Sequence, residues 1–323
     1  MMQTSRASGS LAFLLAAFGC AGHAGITPTE ETPKRGADAH AAAASSVARQ
    51  QLIDEVSAAL RREDHAAATA IVERAKRTDG RARPSAQLIA YFDATVHSYQ
   101  GDYGGAAKIL YDHAAKVGPT MEASFNFHDA MIALRTAEGD LIGALVECEE
   151  MSRVGGLGTW KPADGERITA VQLKEHWHRA YLLRMIAQTR AGHEREAFID
   201  YAEQARKDYV AVAAPLQLGD SIAVLDAYFA FCDGDRAKMA AAARRVNVAQ
   251  DDDIEDLYLV QLALEGAGER HAATAVRTRI RELASVTVLT PVFLSWLRSD
   301  EAAAANGDPA FSPMYPTGAR PKP

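Results

Sequence analysis

Apolar positions recur at three and four residues almost without interruption from Ser46 to about Arg298. That is the spacing of helices that each bury one stripe. Leu52, Val56, Ala59 and Leu60 follow it, as do Leu88, Phe92, Thr95 and Val96, then Ile109, Leu110, His113 and Ala114. No stretch alternates with the period of two that a half-buried strand requires. Alanine is abundant, and it lets helices approach closely at no cost in helix propensity. The pattern predicts an all-α fold.

Within this pattern one turn keeps returning, each time followed by an alanine-containing helix. Its clearest copies are Gly101-Asp102-Tyr103 with Ala106 and Leu110, Gly139-Asp140-Leu141 with Ala144 and Cys148, and Gly192-His193-Glu194 with Ala197 and Tyr201. Weaker copies are Gly234-Asp235-Arg236 with Met239 and Ala240, and Gly268-Glu269-Arg270 with Ala273. A degenerate first copy is Glu63-Asp64-His65 with Ala68 and Val72. The starting residues 63, 101, 139, 192, 234 and 268 lie 38, 38, 53, 42 and 34 apart. Glycine suits the left-handed residue that ends a first helix, and the acid after it suits the start of a second.

This pattern resembles the tetratricopeptide repeat, in which a helix pair of about 34 residues closes on a glycine turn. The resemblance covers roughly residues 47 to 290. It implies helical hairpins stacked into a right-handed solenoid. The chain departs from the family in its first helices, where the usual aromatic and glycine are mostly missing and Ala94 and Ala227 are the small residues at the close-packing place. The terminal proline survives only approximately, as Pro119.

The long interval between the third and fourth copies holds Val154-Gly155-Gly156-Leu157-Gly158-Thr159-Trp160-Lys161-Pro162. Closely spaced glycines can cradle a phosphate, but no strand precedes this run and no Gly-Lys-Ser/Thr follows it. A loop that carries Trp160 toward a partner is the expectation.

The N-terminus adds an address. Arg6 precedes the apolar run Leu11 to Phe18, and eight apolar residues are too few to span a bilayer, which takes roughly 20. This is the arrangement of a secretory signal. The stretch Leu14-Leu15-Ala16-Ala17-Phe18-Gly19-Cys20 resembles the lipobox of bacterial lipoproteins, although Ala17 stands where Leu is usual and Phe18 where a small residue is commoner. The resemblance implies that Cys20 is acylated, that a membrane is reached through this lipid anchor, and that Ala21 directs the chain to the outer membrane. Cleavage after Ala24 would instead release a soluble periplasmic or secreted protein. The resulting division is a lipoprotein-type signal peptide at 1–19, a flexible tether at 20–46, the repeat domain at 47–299 and a disordered proline-rich tail at 300–323.

Composition narrows the function classes. The 323 residues are 48% apolar and 24% charged, enough for a substantial core. Net charge is −7, and removing Arg6 with the signal gives −7 − 1 = −8, so nucleic acid is not an expected partner. Besides Cys20 there are only Cys148 and Cys232, which sit in helical apolar patterns and read as buried thiols unless the fold pairs them.

A search for catalytic or metal-ligating spacing finds none, so no catalytic residue, metal or cofactor is expected. His176 and His178 would point about 200° apart on a helix, whereas two ligands on one helix need a spacing of three or four. His193-Glu194-Arg195-Glu196-Ala197 lacks the second His of a zinc protease motif. Glu149-Glu150 and Asp251-Asp252-Asp253 read as a solvated face and a helix start.

In such a solenoid the first helix of each pair lines the concave face. The glycine turns then place Tyr91, Ser98, Tyr99, Asn126, Asp129, Arg179, Tyr228, Glu255 and Tyr258 toward a bound protein or peptide, with Trp160 beside them. A tyrosine on a repeat helix is also an ordinary core residue, so the set carries this expectation rather than any one member. The expected function is a non-enzymatic envelope scaffold or adaptor. The alternative is an enzyme or accessory domain acting on peptidoglycan or glycans, and a small-ligand binding protein is a third possibility.

Overall fold

A computed structural model describes residues 37–80, 83–117, 121–156 and 165–284. These residues form twelve helices and no strand: α1 (Ala37–Arg61), α2 (His65–Arg77), α3 (Ala86–Tyr99), α4 (Tyr103–Val117), α5 (Met121–Glu138), α6 (Leu141–Gly156), α7 (Gly165–Gln188), α8 (Gly192–Ala213), α9 (Gly219–Asp233), α10 (Arg236–Ala243), α11 (Ile254–Ala267) and α12 (Arg270–Ala284). The fold is all-α, as the periodicity requires. Successive helices pack on one another along the chain, and among the first helices of each pair α1 touches α3, α7 touches α9 and α9 touches α11. The result is a helical repeat.

All six turns found in the sequence adopt the left-handed conformation. Gly101, Gly139, Gly192, Gly234 and Gly268 have φ between 55° and 87°, and Glu63 takes the same region at 59° without being glycine. At five of these turns the next residue closes the preceding helix. The N–H groups of Asp64, Asp102, Asp140, Asp235 and Glu269 donate to the carbonyls of Ala59, His97, Arg135, Ala230 and Leu264 at 2.8–3.0 Å. This is the six-to-one bond of a Schellman turn.

The four aspartates then cap the next helix, because a carboxylate accepts the orphan N–H groups of a first turn. Asp64, Asp102 and Asp140 accept from Ala67, Gly105 and Gly143 at 2.9 Å, and Asp235 from Lys238 at 3.1 Å. One aspartate thus ends one helix and begins another. The fifth residue after the turn is Ala68, Ala106, Ala144, Met239 or Ala273, each with no exposed surface.

The copy at Gly192 keeps the turn but not the register. Ala197 is exposed and Tyr201 is 63% exposed, whereas Ala202, Ala205, Tyr209 and Ala213 face inward. Helix α8 has 22 residues, and its buried residues run from Ala202 to Ala213, with Phe198 the first apolar residue to pack on the core.

Two boundaries also differ from expectation. The helix expected to start near 47 starts at Ala37, ten residues inside the stretch read as tether, because Ala-rich sequence propagates helix readily. Gly155 and Gly156, read as loop, belong to the last turn of α6. The signal peptide, Cys20, Trp160 and the tail at 300–323 lie outside the described residues.

Three apolar clusters run along the array. One holds Leu52, Val56, Leu60, Val72, Leu88 and Phe92 from α1 to α3, and a second holds Tyr91, Ala94, Ala106, Leu110, Met131 and Leu134 from α3 to α5. The largest continues from α5 to α12. Each fully buried Leu, Val or Phe in them contributes about 1.5–3 kcal/mol. Helix α11 is buried at every residue from Ile254 to Leu264. The first and last of the described helices also meet: Arg61 Nη1 donates to the Ala284 carbonyl at 3.3 Å, across 223 positions of sequence.

Candidate functional site

Six of the ten residues expected on the binding face are buried within the chain: Tyr91, Ser98, Asp129, Tyr228, Glu255 and Tyr258. Tyr99, Asn126 and Arg179 are partly exposed, and Trp160 lies outside the described residues. The tyrosines are packing residues. Tyr91 sits among Ala94, Ala106 and Leu110, and Tyr228 packs on Tyr181 with ring centroids 4.8 Å apart and planes tilted by 46°. Burial raises the phenols of Tyr91, Tyr99 and Tyr228. Ser98 spends its hydroxyl on the Thr95 carbonyl at 2.8 Å.

Asp129 belongs to an ionic network where α5, α6 and α7 meet. Lys174 Nζ donates to its Oδ2 at 2.6 Å, and His178 Nε2 lies 3.4 Å from its Oδ1. Next to it on α5, His128 Nδ1 and, two turns on, Arg135 Nε reach the two oxygens of buried Glu147 at 2.9 and 3.2 Å. Glu175 lies 2.5 Å from His176 Nδ1 and 3.7 Å from Arg179. Burial lowers His178 toward its neutral form, against the pull of Asp129. Buried charges of this kind persist because each has an opposite partner, and removing one partner costs about 3–5 kcal/mol.

The acidic run before α11 is the second concentration of charge. Asp253 caps the helix, its Oδ1 accepting from Glu255 at 2.9 Å and Asp256 at 3.2 Å, while Asp251 Oδ1 accepts from Asp253 N–H at 3.0 Å. Asp251, Asp253, Glu255 and Asp256 are all buried. Burial, followed by the charges of Asp253, Asp251 and Glu255, raises Asp256 well above the usual carboxylate range. Read in sequence as a helix start, the run is one. Among the described residues no group of three or more His, Cys, Asp and Glu is placed to hold a metal ion. Cys148 and Cys232 are free and buried.

Among the described residues, a groove occurs at the first hairpin. It has a volume of about 530 Å³ between α1 and α2 and is lined by Val47, Leu52, Ile71, Ala75 and Pro84, with Gln51, Glu55, Arg74 and Thr78 as its polar members. Arg74 pairs with Glu55 across it. A neighbouring groove of about 740 Å³ along α2 shares Arg74 and Thr78 and adds Thr69, Glu73 and Arg77. The second is open surface along one helix, whereas the first has walls from two helices. Val47 is 67% exposed at the lip, and Tyr111, Ile142 and Val146 form further exposed apolar positions on α4 and α6. The sequence reading missed this groove. Its one signal was Val47, an apolar residue between Ser46 and Ala48 with no stripe behind it.

Comparison of the chain with known protein families, with curated proteins and with solved structures finds no match. No described helix is long and apolar enough to cross a membrane.

Proposed function

We propose that the chain is a non-enzymatic scaffold or adaptor of the cell envelope, binding a protein or peptide on the surface of a tetratricopeptide-like right-handed solenoid. The observation that carries this reading is the repetition of one left-handed turn at six places, with the same closing bond at five. Helices that pack mainly on their sequence neighbours present side chains from many elements to one partner, which supports a docking reading. The groove of the first hairpin supplies the entry site. Its apolar floor gives affinity, and the Arg74–Glu55 pair at its rim gives register. Acylated Cys20 holds the array to the bilayer as an outer-membrane lipoprotein facing the periplasm.

The test is a photo-crosslinking residue at Gln51 in growing cells, compared with one at the exposed Lys207 of α8. A discrete adduct at Gln51 that disappears with Val47→Asp supports the reading. Equal adduct patterns at both positions, or none at either, contradict it.

A further inference from the structure

Three consecutive first helices of the array are buried on every side. In α7 each residue from 180 to 187 is buried, in α9 each from 227 to 232, and in α11 each from 254 to 264. Each run exceeds one helical turn, so it leaves no open face. Even charged groups are enclosed: Arg184, whose guanidinium meets Asp233, is 1% exposed, and Glu255 and Asp256 are 2% exposed.

The described helices supply only part of that cover. Helix α9 packs on α7, α8, α10 and α11, whereas α11 packs on α9, α10 and α12 and has no described hairpin beyond it. With fewer neighbours α11 should be the more open, yet its buried run is the longer. The side left over, turned away from α8, α10 and α12, is the one to which the glycine turns assign Tyr228 and Tyr258. An aromatic row runs there from α7 to α9: Trp177 stacks on Tyr181 at 5.2 Å and Tyr181 meets Tyr228 at 4.8 Å, between ring centroids. None of these four is more than 3% exposed.

The chain that follows α12 matches this side in chemistry and in reach. Residues 286–297 include Val288, Leu289, Phe293, Leu294, Trp296 and Leu297, and no charged residue occurs between Glu282 and Arg298. So apolar a stretch gains by leaving water, and an aromatic row is a surface it can cover. Its starting point is already inside the array: Ala284 is 4% exposed and accepts from Arg61 Nη1 of α1 at 3.3 Å. Extended, the stretch from 285 to 297 spans about 40 Å, and even as a helix about 20 Å, whereas packed helix axes lie about 10 Å apart. Helices α11, α9 and α7 are all within its reach.

We propose that residues 286–297 lie across α11, α9 and α7 as a strap of the chain's own, filling the face that the repeat would offer a partner. Tyr228, Glu255 and Tyr258, expected to bind, are buried for that reason. A partner reaches them only by displacing the strap. The groove of the first hairpin lies on other helices, so neither proposal depends on the other.

The experiment places a benzophenone amino acid at Phe293 of the full chain, irradiates it in dilute solution and maps the adducts by peptide mass spectrometry. Adducts within the same chain on α7, α9 or α11 are expected. Adducts confined to other helices, adducts between chains, or none overturn the proposal. A second arm uses the native thiols. Cys232 follows Tyr228 by one turn on the same face of α9, whereas Cys148 lies on α6 with its thiol 3.8 Å from the Glu175 carbonyl, and both are free and buried. Leu294→Asp combined with Trp296→Asp releases the strap and should speed alkylation of Cys232 about tenfold or more, while Cys148 keeps its wild-type rate. An unchanged Cys232, or both thiols accelerating together, also overturns the proposal.

Discussion

Gly143→Ala puts the recurrent turn to a test of sign. In an ordinary helix this change stabilises by about 0.5–1 kcal/mol, because alanine loses less backbone entropy than glycine. Gly104, in the first turn of α4, is such a position, since a Cβ there meets nothing within 4 Å. At Gly143 a Cβ would lie 2.0 Å from Asp140 Oδ2 and 2.8 Å from Arg135 Cδ. Asp140 must then rotate away. It would give up the 2.9 Å bond from the Gly143 N–H and the 2.9 Å contact with Arg135. Losing the cap costs about 1–2 kcal/mol. The ion pair, about a third exposed on each side, adds at most about 1.

The loss exceeds the gain, so Gly143→Ala is expected to destabilise by about 1 kcal/mol while Gly104→Ala stabilises. The decisive arm is the double variant. Once Asp140→Ala has removed the cap, adding Gly143→Ala is expected to recover stability by about 0.5–1 kcal/mol. Urea unfolding followed by far-ultraviolet circular dichroism reads all four, with unchanged slopes required for comparison. A stabilising Gly143→Ala in the wild-type background would refute the geometry of the turn.

Three further outcomes follow. Glu63→Gly relieves a left-handed non-glycine residue and should raise the urea midpoint, whereas Gly139→Ala, with open space around its Cβ but φ 87°, should lower it by about 1 kcal/mol; the reverse order would contradict the conformations. Burial depresses His178 below its ordinary 6.5, so the unfolded chain binds the proton more readily; stability is held above about pH 6.5 and falls on acidification, and His178→Gln should flatten that slope. Asp256 is raised instead, so the stability tied to its neutral form is lost as pH rises. Asp256→Asn should therefore raise the unfolding midpoint, and by more at about pH 8 than at about pH 5.

The turns were legible because their conformation demands particular chemistry. A left-handed residue favours glycine, and the following first turn favours an acid, so Gly-Asp marks the junction even where spacing drifts. The copy at Glu63 was found without a glycine, through Asp64 followed by Ala68 and Val72. Faces were harder to read. Helix α11 is buried all round from Ile254 to Leu264, so its sequence carries no polar stripe to show which side is free, and Glu255 and Tyr258 were placed outward. Tyr91 and Tyr228 failed as surface residues for the same reason: an aromatic with a polar tip serves a core as well as an interface. Register slipped at α8, where glycine marks the turn but the buried stripe is Ala202, Ala205, Tyr209 and Ala213 rather than Ala197 and Tyr201. Arg184 did leave a trace, a charge between Leu183 and Met185 in an apolar run, which is how a buried guanidinium looks in sequence.

The central claim, a binding surface held at a membrane by Cys20, is tested most directly by fractionating cells that carry the Gln51 crosslinker on the wild-type chain or on Cys20→Ser. The account predicts a mature chain with acylated Cys20 at its N-terminus, and a Gln51 adduct recovered with the membranes. In Cys20→Ser both the chain and its adduct should leave the membrane fraction. Unchanged membrane association of Cys20→Ser, or an unmodified N-terminus beyond Cys20, would contradict it.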